Sequence, residues 1–433
     1  MRFLLLLLFV AGCPLEGPGK SSCVVETDCL DGYSCVNGLC EPACAPATCG
    51  MNQCNMISDG CGGQLDCGGC ATGEVCSANQ CGPRPQHCTN NVQDGTESDK
   101  DCGGDCDGCA NGQRCYSTND CAAGTCENQT CLGGRWTTAA PMPTARLGGA
   151  AVLGPDGLIY VIGGYKSMGG VTGVVEVYNP ATNSWSTRAP MPTPRDGFTA
   201  VLGPDDLIYT IGGHYDYSVF PYVDGNSIKV EAYNSATNTW TAKPSLPNGR
   251  YRTAAVSATN GKLYVIGGYS VNPEETLSSV ISYTPGASSW TTVSASMTTA
   301  RDGHGAIATS DGRLYAVGGY DGTNELNTFE YYVPGAISWN TLPLMPTARK
   351  YAGTVLSGGK LYVIGGSAYL SANVRYSKAN EVYDPAANTW SKLPSMPAGR
   401  FDHAIVTGSD GRIYIIGGTL EGTITNTVDV FTP

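Results

Sequence analysis

Six arginines, Arg146, Arg195, Arg250, Arg301, Arg349 and Arg400, recur at one register of a pattern that repeats through the last two-thirds of the chain. A guanidinium is a planar, permanently charged donor that grips a carboxylate or a sulfate through two parallel hydrogen bonds. Five of the six have an acid at a matching downstream position: Glu176, Glu231, Glu330, Glu381 and Asp429, each two residues before an aromatic. Pairing with those acids would neutralise the arginines inside the fold. The third unit departs from this. Ile281 stands where the acid belongs, and Arg252 follows closely on Arg250. Arg250 and Arg252 are therefore the arginines predicted to be open to an anionic ligand.

Two further groups carry chemistry. The stretch from His214 to Ser227 holds Tyr215, Tyr217, Phe220 and Tyr222, an aromatic density that suits a contact surface or sugar stacking. It suits equally a loop that covers its own base. Asp94, Glu97, Asp99, Asp101, Asp105 and Asp107 crowd beside Gly95, Gly103 and Gly104. Hard oxygen ligands on a glycine-rich loop can wrap Ca²⁺. The spacing is not that of an EF-hand, and a solvated acidic loop has the same composition. No Ser-His-Asp or HExxH arrangement stands out, and no cofactor is expected apart from this candidate calcium and a zinc reading of two cysteine pairs.

The elements that hold these residues follow from a second periodicity. Trp136, Trp185, Trp240, Trp290, Trp339 and Trp390 stand roughly fifty residues apart. In one unit, Leu147–Leu153, Leu158–Gly164, Val174–Tyr178 and the segment opened by Trp185 read as four strands joined by turns. Gly-Gly pairs at 163–164, 212–213, 267–268, 318–319, 365–366 and 417–418 mark crowding or positive φ. No stretch shows helical periodicity. The prediction is an all-β repeat with one four-stranded sheet per unit. The repeats begin with an orphan fourth strand around Trp136 and stop after an orphan third strand. Residues 135–139 are thus predicted to complete the last of six sheets and remove the open edges.

Cysteine use divides the chain. All 21 cysteines lie between Cys13 and Cys131. Cys23-x5-Cys29-x5-Cys35-x4-Cys40 is echoed by Cys109-x5-Cys115-x5-Cys121-x4-Cys126-x4-Cys131, and in part by Cys67-x2-Cys70-x5-Cys76-x4-Cys81. Large apolar residues are scarce here, so disulfides must replace a core. Residues 23–131 read as a stalk of small disulfide modules. Zinc is the competing reading for Cys67-x2-Cys70 and Cys106-x2-Cys109. The net charge of −12 opposes a nucleic-acid partner.

Met1-Arg2 followed by the apolar run Phe3–Val10 reads as a secretory signal. Val10-Ala11-Gly12-Cys13 resembles the bacterial lipoprotein lipobox. That resemblance implies removal of residues 1–12, a lipid on Cys13, and residues 13–22 as a linker. Removing Cys13 from the count leaves an even number able to pair. The expected location is the cell envelope of a Gram-negative bacterium, at the outer membrane or the cell surface.

The repeat resembles the kelch repeat, with Gly-Gly after the second strand, a tyrosine before the turn and tryptophan on the fourth. The resemblance covers residues 135–433 and implies a six-bladed β-propeller. The cysteine-rich modules are similar to stalks that precede propellers in secreted myxobacterial proteins. In peptide-binding kelch proteins, arginines at this register line the channel mouth and grip acidic ligands. Galactose oxidase, a similar propeller, holds copper beside a Tyr–Cys cross-link, which residues 132–433 cannot form without cysteine. His304 and His403, three residues after motif arginines, read as structural. The expected function is a non-enzymatic module that binds a protein or glycan. A sugar-acting enzyme like the kelch-type sialic-acid mutarotase, or a structural envelope protein, are the alternatives.

Overall fold

The computed structural model describes residues 109–433 apart from 112, 117, 122–124, 215–227 and 371–372, together with six short strands between residues 33 and 83. The chain divides into two compact units, Met1–Gly108 and Cys109–Pro433.

In the first unit the described strands form three hairpins. Tyr33–Val36 pairs with Leu39–Pro42, Met56–Ser58 with Gln64–Asp66, and Glu74–Ser77 with Gln80–Pro83. Cys35 is in register with Cys40, and Cys76 with Cys81. The second unit opens on a hairpin of the same kind, with Cys126 in register with Cys131. Disulfides join Cys115 to Cys126 and Cys121 to Cys131, so both cysteines of this last hairpin bond outward rather than to each other. Cys109 is also disulfide-bonded, which removes one thiolate from the Cys106-x2-Cys109 zinc reading.

From Arg135 onward the chain builds six four-stranded antiparallel sheets. In the first, Ala150–Leu153, Ile159–Ile162, Val175–Asn179 and Ser184–Arg188 run in chain order. The second strand, Ile-Tyr-Val-Ile, is buried at every position because sheets cover it on both faces. The fourth alternates toward solvent. The sixth sheet consists of Ala404–Thr407, Ile413–Ile416, Val428–Thr432 and Arg135–Ala139. Trp136 lies opposite Phe431 in that pairing, so the ring is closed by its own first strand.

The core is six separate wedges, one between each pair of neighbouring blades. The tryptophans pin the outer rim. Their indole nitrogens donate to carbonyls of the preceding blade's exit segment: Trp185 to Ala140, Trp240 to Ala189, Trp290 to Pro244, Trp339 to Ala295, Trp390 to Pro343 and Trp136 to Pro394. Each bond crosses a blade boundary, and the set goes once around the ring. A buried indole N–H finds a partner in this way while its ring fills the wedge.

Candidate functional site

The six motif arginines are almost fully buried, none more than 2% exposed. Five meet the acids expected from sequence: Arg146–Glu176, Arg195–Glu231, Arg301–Glu330, Arg349–Glu381 and Arg400–Asp429, at 2.5–2.7 Å. Their charged heads are thus committed inside the blades and do not line the channel mouth. Burial pulls their proton affinity down and the acidic partners pull it back. Arg250 is buried as well and is not presented to the mouth.

Each arginine also ties two blades together. The second glycine of the preceding blade donates to its carbonyl, as Gly164 does to Arg195 and Gly268 to Arg301. The first glycine of each pair leaves room for that carbonyl. A Cβ on Gly267 would come within 2.6 Å of the Arg301 oxygen, and the backbone there has φ +57.

The residues that reach the axis stand two positions after each arginine: Gly148, Gly197, Arg252, Gly303, Tyr351 and Asp402. All six have positive φ, between 51° and 62°. Their backbones form a closed circle of hydrogen bonds. Gly197 donates to Gly148, Arg252 to Gly197, Gly303 to Arg252, Tyr351 to Gly303, Asp402 to Tyr351, and Gly148 to Asp402, over 2.7–3.3 Å. Glycine enters this conformation at no steric cost, whereas other residues are strained in it. Three blades nevertheless carry a side chain there. Arg252, Tyr351 and Asp402 line a 160 Å³ axial cavity with Phe198, His304 and His403.

The residue one step earlier builds the rim. Asp196, Tyr251, Asp302 and Lys350 each bridge to the first residue after a Gly-Gly pair, His214, Tyr269, Tyr320 and Ser367. Arg252 lies 5.1 Å from the Tyr251 ring and 5.0 Å from the Tyr351 ring. It is open to solvent along the channel although protein surrounds it. Lys350 sits 3.8 Å from the Tyr320 ring and 3.5 Å from Glu325. Going round the mouth from the second blade, charge alternates as Asp196, Arg252, Asp302, Lys350, Asp402. Burial pushes the Asp402 carboxyl up to about 6; Asp196 adds to the rise, while Arg252 and Lys350 oppose it. Burial also raises Asp302 and Tyr351.

His214 is buried in the rim, 3.9 Å from Asp196. His304 and His403 are wedged between blades, where a Cβ on Gly267 or Gly365 would strike their rings at 2.9 Å. Neither nitrogen of His304 has a hydrogen-bond partner among the described residues. Among those residues the one group in metal-binding reach is the sulfurs of Cys115, Cys121 and Cys131, all in disulfides. Tyr215, Tyr217, Phe220 and Tyr222, the acidic loop of Asp94, Asp99, Asp101, Asp105 and Asp107, and Cys13 lie outside the described residues.

Arg252 is thus the sequence-predicted residue that reaches an open surface. Tyr351 and Asp402 escaped sequence reasoning. The signal for them was the glycine at the same register in three other units.

Six four-stranded blades around a side-chain-lined mouth define a β-propeller with one axial site. The KLHDC2/KLHL20/DRC7 Kelch-repeats domain model matches residues 103–297 and 253–433. The chain belongs to the kelch-repeat family. It is 31% identical to mouse Kelch-like protein 35 over 191 residues, 44% of this chain and 31% of that protein. It is 30% identical to Kelch-like protein terF of Aspergillus terreus over 316 residues, 69% of this chain and 56% of that protein. The chain therefore spans only part of the length of these curated relatives. The solved structure of YjhT shares the fold, with a TM-score of 0.57, 17% identity, and coverage of 67% of this chain and 96% of that one.

Two predictions follow from the buried charges and rings. R301M leaves Glu330 buried without its partner and is expected to cost roughly 3–5 kcal/mol, whereas R301M/E330M recovers most of that loss; denaturant unfolding of both variants measures the difference. Burial, with Arg301 or Arg400 nearby, lowers His304 and His403 to about 3, with a contact to the Ile364 backbone opposing at His403. The stability they contribute is present above their ordinary value of 6.5 and is lost as pH falls toward 3. Asp402, raised from 3.8 to about 6, acts in the opposite sense, losing its contribution as pH rises through 6. H304Q/H403Q is therefore expected to show a flatter fall of Tm below pH 6.5 than the wild type. An unchanged slope would assign the acid sensitivity elsewhere.

Proposed function

We propose that the propeller is a binding module whose ligand, a protein or a glycan, docks on the axial mouth. One observation carries the reading. Three of six ring positions hold Arg252, Tyr351 and Asp402 in a backbone conformation that their neighbours fill with glycine. Strain of this kind persists where a side chain is needed, and it clusters at ligand sites. The aromatic and alternately charged rim supplies stacking faces and both signs of charge. A sugar-acting enzyme is the second reading, favoured by Asp402. A carboxyl titrating near neutrality beside a guanidinium and a phenol is suited to proton transfer.

We further propose that the protein is exported and anchored in the cell envelope through a lipid on Cys13, with residues 23–131 as the stalk. The apolar run and the Val10-Ala11-Gly12-Cys13 stop support this. A calcium site on the acidic loop, at Asp94, Asp99, Asp101, Asp105 and Asp107, is part of the same proposal. Oxygen ligands beside glycines support it, and calorimetry that detects no heat with millimolar Ca²⁺ would exclude it.

R252G, Y351G and D402G each exchange one side chain for the residue found at the same place in neighbouring blades. Each is expected to keep folding stability within about 1 kcal/mol of wild type, because relief of strain offsets glycine's entropy cost. The triple variant is expected to lose a ligand that the full-length protein captures from envelope extract or a glycan array. Equal capture by both would sink the axial reading, and sugar turnover lost in D402G would favour the enzyme. Labelled palmitate is expected to enter the wild type expressed in a Gram-negative host but not C13S. An unlabelled wild type ends the anchor proposal.

A further inference from the structure

The six arginines can be compared atom by atom. Arg301 gives Nη1 to the carbonyls of Gly318 at 2.8 Å and Thr328 at 3.2 Å, and Nη2 to Thr328 Oγ1 at 3.1 Å and Glu330 at 2.6 Å. Arg400 does the same with Gly417 at 3.1 Å, Thr427 O at 3.3 Å, Thr427 Oγ1 at 2.9 Å and Asp429 at 2.7 Å. Arg250 keeps the first half of this arrangement, with Nη1 donating to Gly267 at 3.2 Å and Ser279 at 3.5 Å. The second half is missing. Ser279 replaces the threonine and Ile281 replaces the acid. Nη2, which carries that half in Arg301 and Arg400, makes no hydrogen bond among the described residues; Nε is unpaired in all three.

Arg250 is nevertheless 2% exposed, with no carboxylate partner among the described residues. Burial alone lowers its proton affinity, to about 10. An unpaired buried charge is costly, and the other five blades avoid it. Beside it lies a cavity of 300 Å³ that Arg250 and Ser279 line together with Asn248, Ser270, Asn272 and Glu275.

We infer that this cavity in the third blade binds a small hydroxylated monocarboxylate, whose oxygens supply to Arg250 the partner that Glu or Asp supplies in the other blades. The side chains of Asn248, Ser270 and Asn272 provide donors and acceptors for the ligand's hydroxyls. The exposed Glu275 carboxylate at the rim disfavours a second negative charge. Arg250 does not line the axial cavity, so the site is separate from the one proposed above. The inference does not rest on that reading.

The test uses the full chain and sodium glucuronate, with sodium chloride at equal ionic strength and glucose as controls. Glucuronate is expected to raise Tm saturably by about 2–4 °C at a hundredfold excess over its Kd. Neither control should do so. I281E supplies the missing acid from within and is expected to raise the ligand-free Tm and abolish the glucuronate response. R250Q is expected to abolish the response as well, and it decides the matter if I281E does not fold. R252G should respond like wild type. The inference is overturned if the wild type shows no saturable response, or if R250Q retains it. Loss in R252G with retention in R250Q would overturn it too, by moving the site to the axis.

Discussion

The buried guanidinium–carboxylate pair is the interaction on which this propeller depends. Its backbone carbonyl is held by a glycine of the blade before, and its side chain by an acid on the third strand of its own blade. One residue therefore links each sheet to the one before it. Desolvating a guanidinium costs several kcal/mol unless its partners are placed well. Here, in five of the six blades, at least two backbone carbonyls and one carboxylate meet it. In every blade, the third included, the next two residues reach the axis in one repeated pose and close the circle of backbone hydrogen bonds.

Two closed circuits result, an inner one of main-chain bonds and an outer one of indole bonds. Between them the apolar wedges contact only their neighbours, as in other repeat architectures. The third blade shows what happens when one pair loses its acid. The arginine keeps its contacts to two backbone carbonyls, Ile281 packs into the apolar wedge where the acid would stand, and a polar cavity lies beside the guanidinium.

Much of the architecture was legible in the sequence. The tryptophan spacing, the Gly-Gly pairs and the orphan strand around Trp136 lead to six blades and to the observed closure. The matching acids likewise point to the internal pairing of Arg146, Arg195, Arg301, Arg349 and Arg400. What the sequence hid was direction. The motif arginine points into the blade, and whether the mouth is reached one, two or three residues later depends on φ. Tyr351 and Asp402 look like ordinary polar residues until the left-handed turn aims them at the axis. Arg252 stood out only because it neighbours an arginine without an acid. That clue was sound for Arg252 at the mouth and misplaced for Arg250, which is buried beside a different cavity.

The circle of left-handed residues has an evolutionary consequence. Each blade contributes one position whose default is glycine and whose side chain, when present, lands at the axis. Backbone bonds hold these positions, and a Cβ at Gly197 would meet nothing closer than 3.7 Å, so a single codon change can install a functional group there, whereas at Gly303 the Tyr351 ring, 2.5 Å from such a Cβ, would have to move. A protein built this way can explore new ligands by stepwise combination at six sites, with the strain of each non-glycine residue limiting how many are filled at once.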